Sequence, residues 1–205
     1  MDVEAVHDLR SYAGKVRHWF EELSFAGKVG IAACFSAFIG LAAQIRIPLP
    51  WTPVPITGQT FAVLVTGALL GGGWSGFAAG LYVAAGAVGL PWFAGWNGGW
   101  TSLAGPTGGY LLGFVPAAMI VGYAVWRFPW TRSMAGLLGV MTAANFFLIH
   151  GPGLLVLSFF TGVHDPVKLL WMGTIPFIPG DLTKIAAAAM MAWPLLPRGT
   201  GEAGR

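Results

Sequence analysis

The amino-acid sequence predicts an all-α integral membrane protein: six transmembrane helices, with an amphipathic surface helix ahead of them. The first observation is composition. Of 205 residues, 56% are hydrophobic and only 9% are charged, where a soluble domain carries about 25%. The second is the charge map. From Ile47 through Trp126 there is no Asp, Glu, Lys or Arg, and between Val29 and Pro197 the only acids are Asp165 and Asp181. A soluble fold must wet its surface and cannot leave eighty consecutive residues uncharged. The third is where the basic residues fall once the spans are drawn.

The elements follow in order. In residues 1–24, Val3, Val6, Leu9, Ala13, Val16, Phe20 and Leu23 recur every three or four positions, with acids and bases on the other face. That pattern reads as an amphipathic helix on the membrane surface, or else as a disordered tail. These residues carry too many charges for a signal peptide, so insertion relies on the first span. A span needs about 20 apolar residues, with a lower limit near 17. The expected spans are 28–46, 58–71, 74–90, 108–126, 133–161 and 178–196. The second is short and ends in "GGG", and the fifth is long and broken by "GPG" at Gly151–Gly153. The chain thus divides into an interfacial segment 1–24, a membrane domain 25–197 and a tail 198–205.

Six spans put both termini on one side. That side collects Arg10, Lys15, Arg17, Lys28, Arg127, Arg132, Arg198 and Arg205, the other only Arg46 and Lys168, while Lys184 lies inside the sixth span. Eight against two is a positive-inside bias, so the termini are expected in the cytoplasm. Trp51, Trp74, Trp92, Trp126, Trp130, Trp171 and Trp193 fall near span ends, the level indole prefers. The two outer connections are not solvated linkers. Residues 47–57, "IPLPWTPVPIT", hold four prolines and no charge, and residues 91–107, "PWFAGWNGGWTSLAGPT", are rich in aromatics and glycine. Both read as lids over something apolar.

Several chemistries lack their motifs. There is no phosphate-binding G-x-x-x-x-G-K-[ST], so no P-loop ATP hydrolysis, and no H-E-x-x-H, C-x-x-C or G-x-S-x-G. The four histidines show no metal-ligand spacing, and the single Cys34 lies in an apolar run as a small buried side chain. His150, beside the "GPG" break, is either functional or bonded to a freed backbone carbonyl. Gly30, Ala33, Ala37 and Gly40 form a small-residue face on span one, with Ala33 and Ala37 in an A-x-x-x-A pair. Such a face serves internal packing or docking on another membrane protein.

One charged motif stands in an apolar setting, "PGDLTK" at 179–184. Asp181 and Lys184, three apart, share a helix face at the start of span six. A charge at membrane depth costs roughly 2.5–3.5 kcal/mol at a helix centre and less near an end. The pair is either a cap with its own salt bridge or the polar anchor of a pocket. The lids and the otherwise apolar spans favour the pocket.

Four stretches carry a resemblance: "IPLPWTPVPITGQTFAVLVTGALLG" (47–71), "GAVGLPWFAGWNGG" (86–99), "GPTGGYLLGF" (105–114) and "PGDLTK". Over residues 28–196 the chain resembles the BioY family, the biotin-binding S components of energy-coupling factor (ECF) vitamin transporters. The resemblance implies an S-component fold with one biotin site near the outer face of a bacterial plasma membrane. It implies as partners a transmembrane coupling protein and two ATPase subunits, which alone use ATP, and no cofactor or catalysis in this chain. It puts Asp181 and Lys184 at charged ligand-contacting positions, Asn97 at a polar contact in the aromatic lid and Gln59 at the glutamine after "PIT". Gly58 departs from the family, which has a larger, usually apolar residue there, and this is expected to loosen the start of span two. The resemblance moves Ala33 and Ala37 toward docking on the coupling protein.

Biotin suits such a site chemically. A carboxylate accepts from ureido N–H groups, an ammonium donates to a carbonyl or carboxylate, and Asn97 can do either. Trp92, Phe93, Trp96 and Tyr110 are expected to wall the bicycle, with Tyr82 looking inward from span three. Rival readings keep the fold but change the vitamin, dispense with the ATPase module, or make the chain an intramembrane enzyme with Asp181 as base. The last lacks a catalytic dyad.

Overall fold

The computed structural model describes residues 18–197, which are predominantly helical. Of the expected surface helix only the end is described, and residues 18–22 are helical; the rest, and the tail 198–205, lie outside the described residues.

Helix α1 (Phe25–Ala42) starts at Ser24, whose Oγ accepts from the backbone N–H of Gly27 at 3.2 Å. A short hairpin follows, β1 (Arg46–Ile47) antiparallel to β2 (Ile56–Thr57), with Arg46 opposite Thr57 and Ile47 opposite Ile56. It gathers the proline-rich segment into a loop over one end of the bundle. Helix α2 (Gln59–Leu70) is buried at every residue but Phe61 and Leu69. Its 12 residues span about 18 Å, so it serves as a core helix and is too short to cross a bilayer upright. Gly71 alone joins it to α3 (Gly72–Ala87), turning the chain at φ +79°, a conformation glycine adopts without penalty. After the one-turn α4 (Trp100–Leu103) comes the central helix α5 (Gly108–Arg127), packed against α2, α3 and the long helix that follows.

That long helix is continuous but not uniform. It runs α6 (Met134–Ala143), a π-helical segment (Ala144–His150) and α7 (Gly151–Thr161). The expected break at "GPG" therefore falls one turn earlier and is a widening of the helix. Pro152 has no N–H to offer the preceding turn, and the π segment accommodates the freed carbonyls. The widened stretch also presses on α5. A Cβ on Gly109 would strike the Pro152 carbonyl, and one on Gly113 the Leu148 carbonyl, so this i, i+4 glycine pair permits the contact. The short α8 (Pro166–Gly173) and a 3-10 turn lead into α9 (Ile178–Ala192).

Among the described residues, three helices are long and apolar enough to cross a membrane: Phe25–Ala42, Gly108–Arg127 and Met134–Thr161. The long helix carries exposed Phe147, Leu155 and Phe159 outward, as a lipid-facing surface does. Two expectations for α1 need revision. Gly40 is not on the small-residue face but packs on Trp92, while Gly30, Ala33 and Ala37 stay exposed. Cys34 is exposed on the same side, not buried. Gly58 stands just ahead of α2, whose first-turn residues Gln59 and Thr60 are buried. A Cβ there would lie 2.7 Å from the Ala42 carbonyl, so a larger residue would push α1 away.

Candidate functional site

Asp181 lies in the first turn of α9, where unpaired backbone N–H groups favour an anion. Its side chain is 2% exposed, and three donors hold it. Lys184 Nζ is 2.6 Å from Oδ1. His150 Nε2 lies 2.8 Å from Oδ2, and Asn145 Nδ2 donates to the same oxygen at 3.1 Å. Asp181 only accepts, so His150 Nε2 carries a proton. His150 Nδ1 rests between the Gly173 carbonyl at 3.0 Å and the Thr174 hydroxyl at 3.1 Å. With Nε2 protonated, Nδ1 of the neutral ring accepts from the Thr174 hydroxyl, and the histidine is part of the charged cluster and is not bonded to a carbonyl freed by the helix break. Lys184 Nζ donates to the Thr57 carbonyl at 3.1 Å as well, tying α9 to the hairpin.

The π segment makes this cluster possible. On an α-helix, side chains five positions apart point about 140° away from each other. The wider turn, bonded i to i+5, brings Asn145 and His150 to one face and onto one carboxylate oxygen. Tyr110 braces the same region, donating its hydroxyl to the Gly173 carbonyl at 2.8 Å and meeting the His150 ring edge-on.

The opposite wall is built from the aromatic loop. The Phe93 N–H donates to the Asn97 carbonyl at 2.8 Å, closing a tight loop with positive φ at Gly95 and Trp96. Gln44, two residues past the end of α1, reaches into this loop: its Nε2 donates to the carbonyls of Trp92 and Phe93, and its Oε1 accepts from the Trp96 N–H. Gln59 donates to the Tyr82 hydroxyl at 2.6 Å and accepts from the Thr57 hydroxyl at 2.8 Å.

Between these walls lies a cavity of about 260 Å³. Asp181, Lys184, Asn97, Gln59, Phe93 and Tyr110 line it, together with His150, Thr57, Thr60 and Arg46. Three of the expected residues do not. Tyr82 is fully buried behind Gln59, Trp92 packs between α1 and Tyr82 with its indole N–H on the Tyr82 carbonyl, and Trp96 is 66% exposed. Tyr82 and Trp92 thus back the wall without forming its surface. The buried end of the cavity is polar and charged, the sides are apolar, and Arg46 and Asn97 sit at its exposed mouth. Thr60 Oγ1, in the lining, and Asn145 Oδ1 are buried without a hydrogen-bond partner among the described residues. This form, mostly apolar with a few convergent polar groups, fits a small amphipathic ligand.

The sequence model of the BioY family matches residues 15–199. The chain belongs to the BioY family. It is 45% identical over 139 residues to the probable biotin transporter BioY of Methanothermobacter thermautotrophicus, covering 65% of this chain and 88% of that protein. It is 39% identical over 164 residues to the biotin transporter BioY of Thermotoga maritima, covering 78% and 90%. Among solved structures it is similar to the S component for biotin from an ECF-type ABC transporter. The TM-score is 0.76 and the identity 27%, with 83% of this chain and 90% of that one covered. Membership in a transporter family, with the apolar helices above, makes the chain a membrane protein, and its relatives are transporters, not enzymes.

Sequence reasoning missed Asn145, and left His150 between two readings. The available signal was position: polar side chains inside an apolar span are costly and tend to face a functional interior. Arg46 was read only for topology, although it lines the cavity.

Proposed function

We propose that this chain is the substrate-capture subunit of an ECF-type vitamin transporter and that its cargo is biotin. One observation carries the reading: Asp181, Lys184 and His150 converge at the buried end of a small cavity with apolar sides. A ureido headgroup needs both an acceptor and donors in an otherwise apolar site, and this cluster supplies them. The names of the relatives and of the solved structure support the choice of biotin.

In this reading six helical segments build the membrane domain: α1, α2, α3, α5, the long helix α6–α7, and α9. The short ones sit inside and the long ones face lipid. Both termini are cytoplasmic, as the basic residues favour, and the cavity opens outward in the plasma membrane. The hairpin loop and the aromatic loop close over bound biotin. The exposed face of Gly30, Ala33 and Ala37 on α1 docks on the transmembrane coupling protein. Two partner ATPases hydrolyse ATP, and this chain contributes binding without catalysis or cofactor.

The test is a panel of water-soluble vitamins against the purified protein in detergent, read by thermal shift. Biotin alone is expected to raise the unfolding temperature. A shift with another vitamin and none with biotin would overturn the cargo. Uptake in cells with and without the coupling module then tests the partners.

A further inference from the structure

We infer that Gln44 is a positioning residue: its amide latches the aromatic loop against the strain stored at Trp96, and the lifetime of that latch sets how fast the ligand leaves. The inference rests on the biotin reading above for its cargo alone.

Three observations carry it. First, the loop holds a strained residue. Trp96 sits at φ +59°, the one non-glycine at positive φ among the described residues. A side chain there crowds its own backbone, and such a residue persists only where its surroundings hold it. Burial does not hold it, because Trp96 is 66% exposed. Its backbone N–H, however, donates to Gln44 Oε1 at 3.0 Å.

Second, Gln44 uses both ends of its amide on the loop. Nε2 donates to the Trp92 carbonyl at 3.2 Å and to the Phe93 carbonyl at 3.3 Å. One side chain thus clamps both limbs of the turn that the Phe93–Asn97 bond closes. Third, the clamp is anchored. Nε2 also donates to the Gly40 carbonyl in the last turns of α1 at 2.9 Å. Gly40 itself lies against Trp92, where a Cβ would stand 3.1 Å from the Trp92 Cβ, so no side chain separates α1 from the loop. A glutamine that merely closed the end of α1 would make the Gly40 contact and no other.

The loop gives the cavity Phe93, Ala94 and Asn97. When Gln44 lets go, relaxation of Trp96 favours the open loop and that wall is lost. The latch therefore acts on the rate of exchange, through the loop and without touching the ligand.

The experiment has a ligand-free part and a ligand-bound part, both in detergent. Hydrogen–deuterium exchange of the ligand-free protein reads the Trp96 amide. It is expected to be protected in wild type despite the exposed side chain, and at least about tenfold less protected in Gln44→Met. A chase of bound labelled biotin by excess unlabelled biotin reads release. Gln44→Met is expected to release roughly 10- to 100-fold faster, the worth of two or three hydrogen bonds. Combined with Trp96→Gly, that acceleration is expected to shrink severalfold relative to Trp96→Gly alone, because glycine holds positive φ unaided. A side chain that only packs would show no such rescue. An unprotected Trp96 amide in wild type would overturn the inference, and this needs no variant should Gln44→Met not fold. Unchanged release in Gln44→Met, or equal acceleration in both backgrounds, would overturn it too, and either leaves the biotin reading intact. Folded wild type that binds no biotin would overturn that reading, while the exchange measurement still decides whether Gln44 holds the loop.

Discussion

Lys184→Met removes one charge from a buried ion pair while keeping the unbranched apolar stem. Asp181 is 2% exposed and Lys184 18%, with Nζ 2.6 Å from Oδ1. Charge centres roughly 4 Å apart attract by about 4 kcal/mol at an effective dielectric near 20. Breaking such a pair from one side costs about 3–5 kcal/mol, because the remaining charge stays buried. Lys184→Met should therefore lower the unfolding free energy of the ligand-free protein by that amount. Asp181→Asn should cost less, since Lys184 keeps the Thr57 carbonyl and some access to water. The double variant should cost less than the sum of the two by about 2–4 kcal/mol, because a neutral pair needs no compensation. Denaturation in mixed micelles, run as a double-mutant cycle, measures this coupling. Costs that add to within about 0.5 kcal/mol would refute the ion pair as the organising contact of α9.

Two further substitutions address the rest of the site. His150→Leu strips a partner from Asp181 Oδ2. It should cost at least about 2 kcal/mol in unfolding free energy and weaken biotin about tenfold or more, read by denaturation and titration. Gly86→Ala drives a methyl group into the Phe93 ring at Cε1 and Cζ, so the ring must shift. The helix should tolerate alanine, which it prefers by about 1 kcal/mol, so the expected result is unchanged circular dichroism with markedly weaker biotin binding.

Helix limits were legible because each apolar run is closed by glycine, proline or a cap. Gly71 separates α2 from α3, and Arg127 and Ser133 bracket the loop before the long helix, whereas α1, expected at 28–46, runs from Phe25 to Ala42 because Ser24 caps it. The two ends of the cavity were legible in part. Asp181 and Lys184 announce themselves as charges in an apolar span, and Gln59 and Asn97 stand in quoted family stretches. The π segment was not legible. "ANFFLIH" carries no local signal for a wider turn, and its form depends on Pro152 downstream and on α5 pressing from the side. With it went the pairing of Asn145 and His150 on one carboxylate. The aromatic loop misled for a different reason. Composition says that Trp92, Phe93 and Trp96 are close to a ligand, but only the closed loop geometry decides that Phe93 faces the cavity and Trp96 faces out.

The most direct measurement is a calorimetric titration of biotin into the purified protein in detergent, beside Asp181→Asn. The account predicts tight binding of one biotin per chain and an affinity at least about tenfold weaker in the variant, the loss of one charge-assisted contact. No binding by folded wild type, or an unchanged affinity in Asp181→Asn, would contradict it.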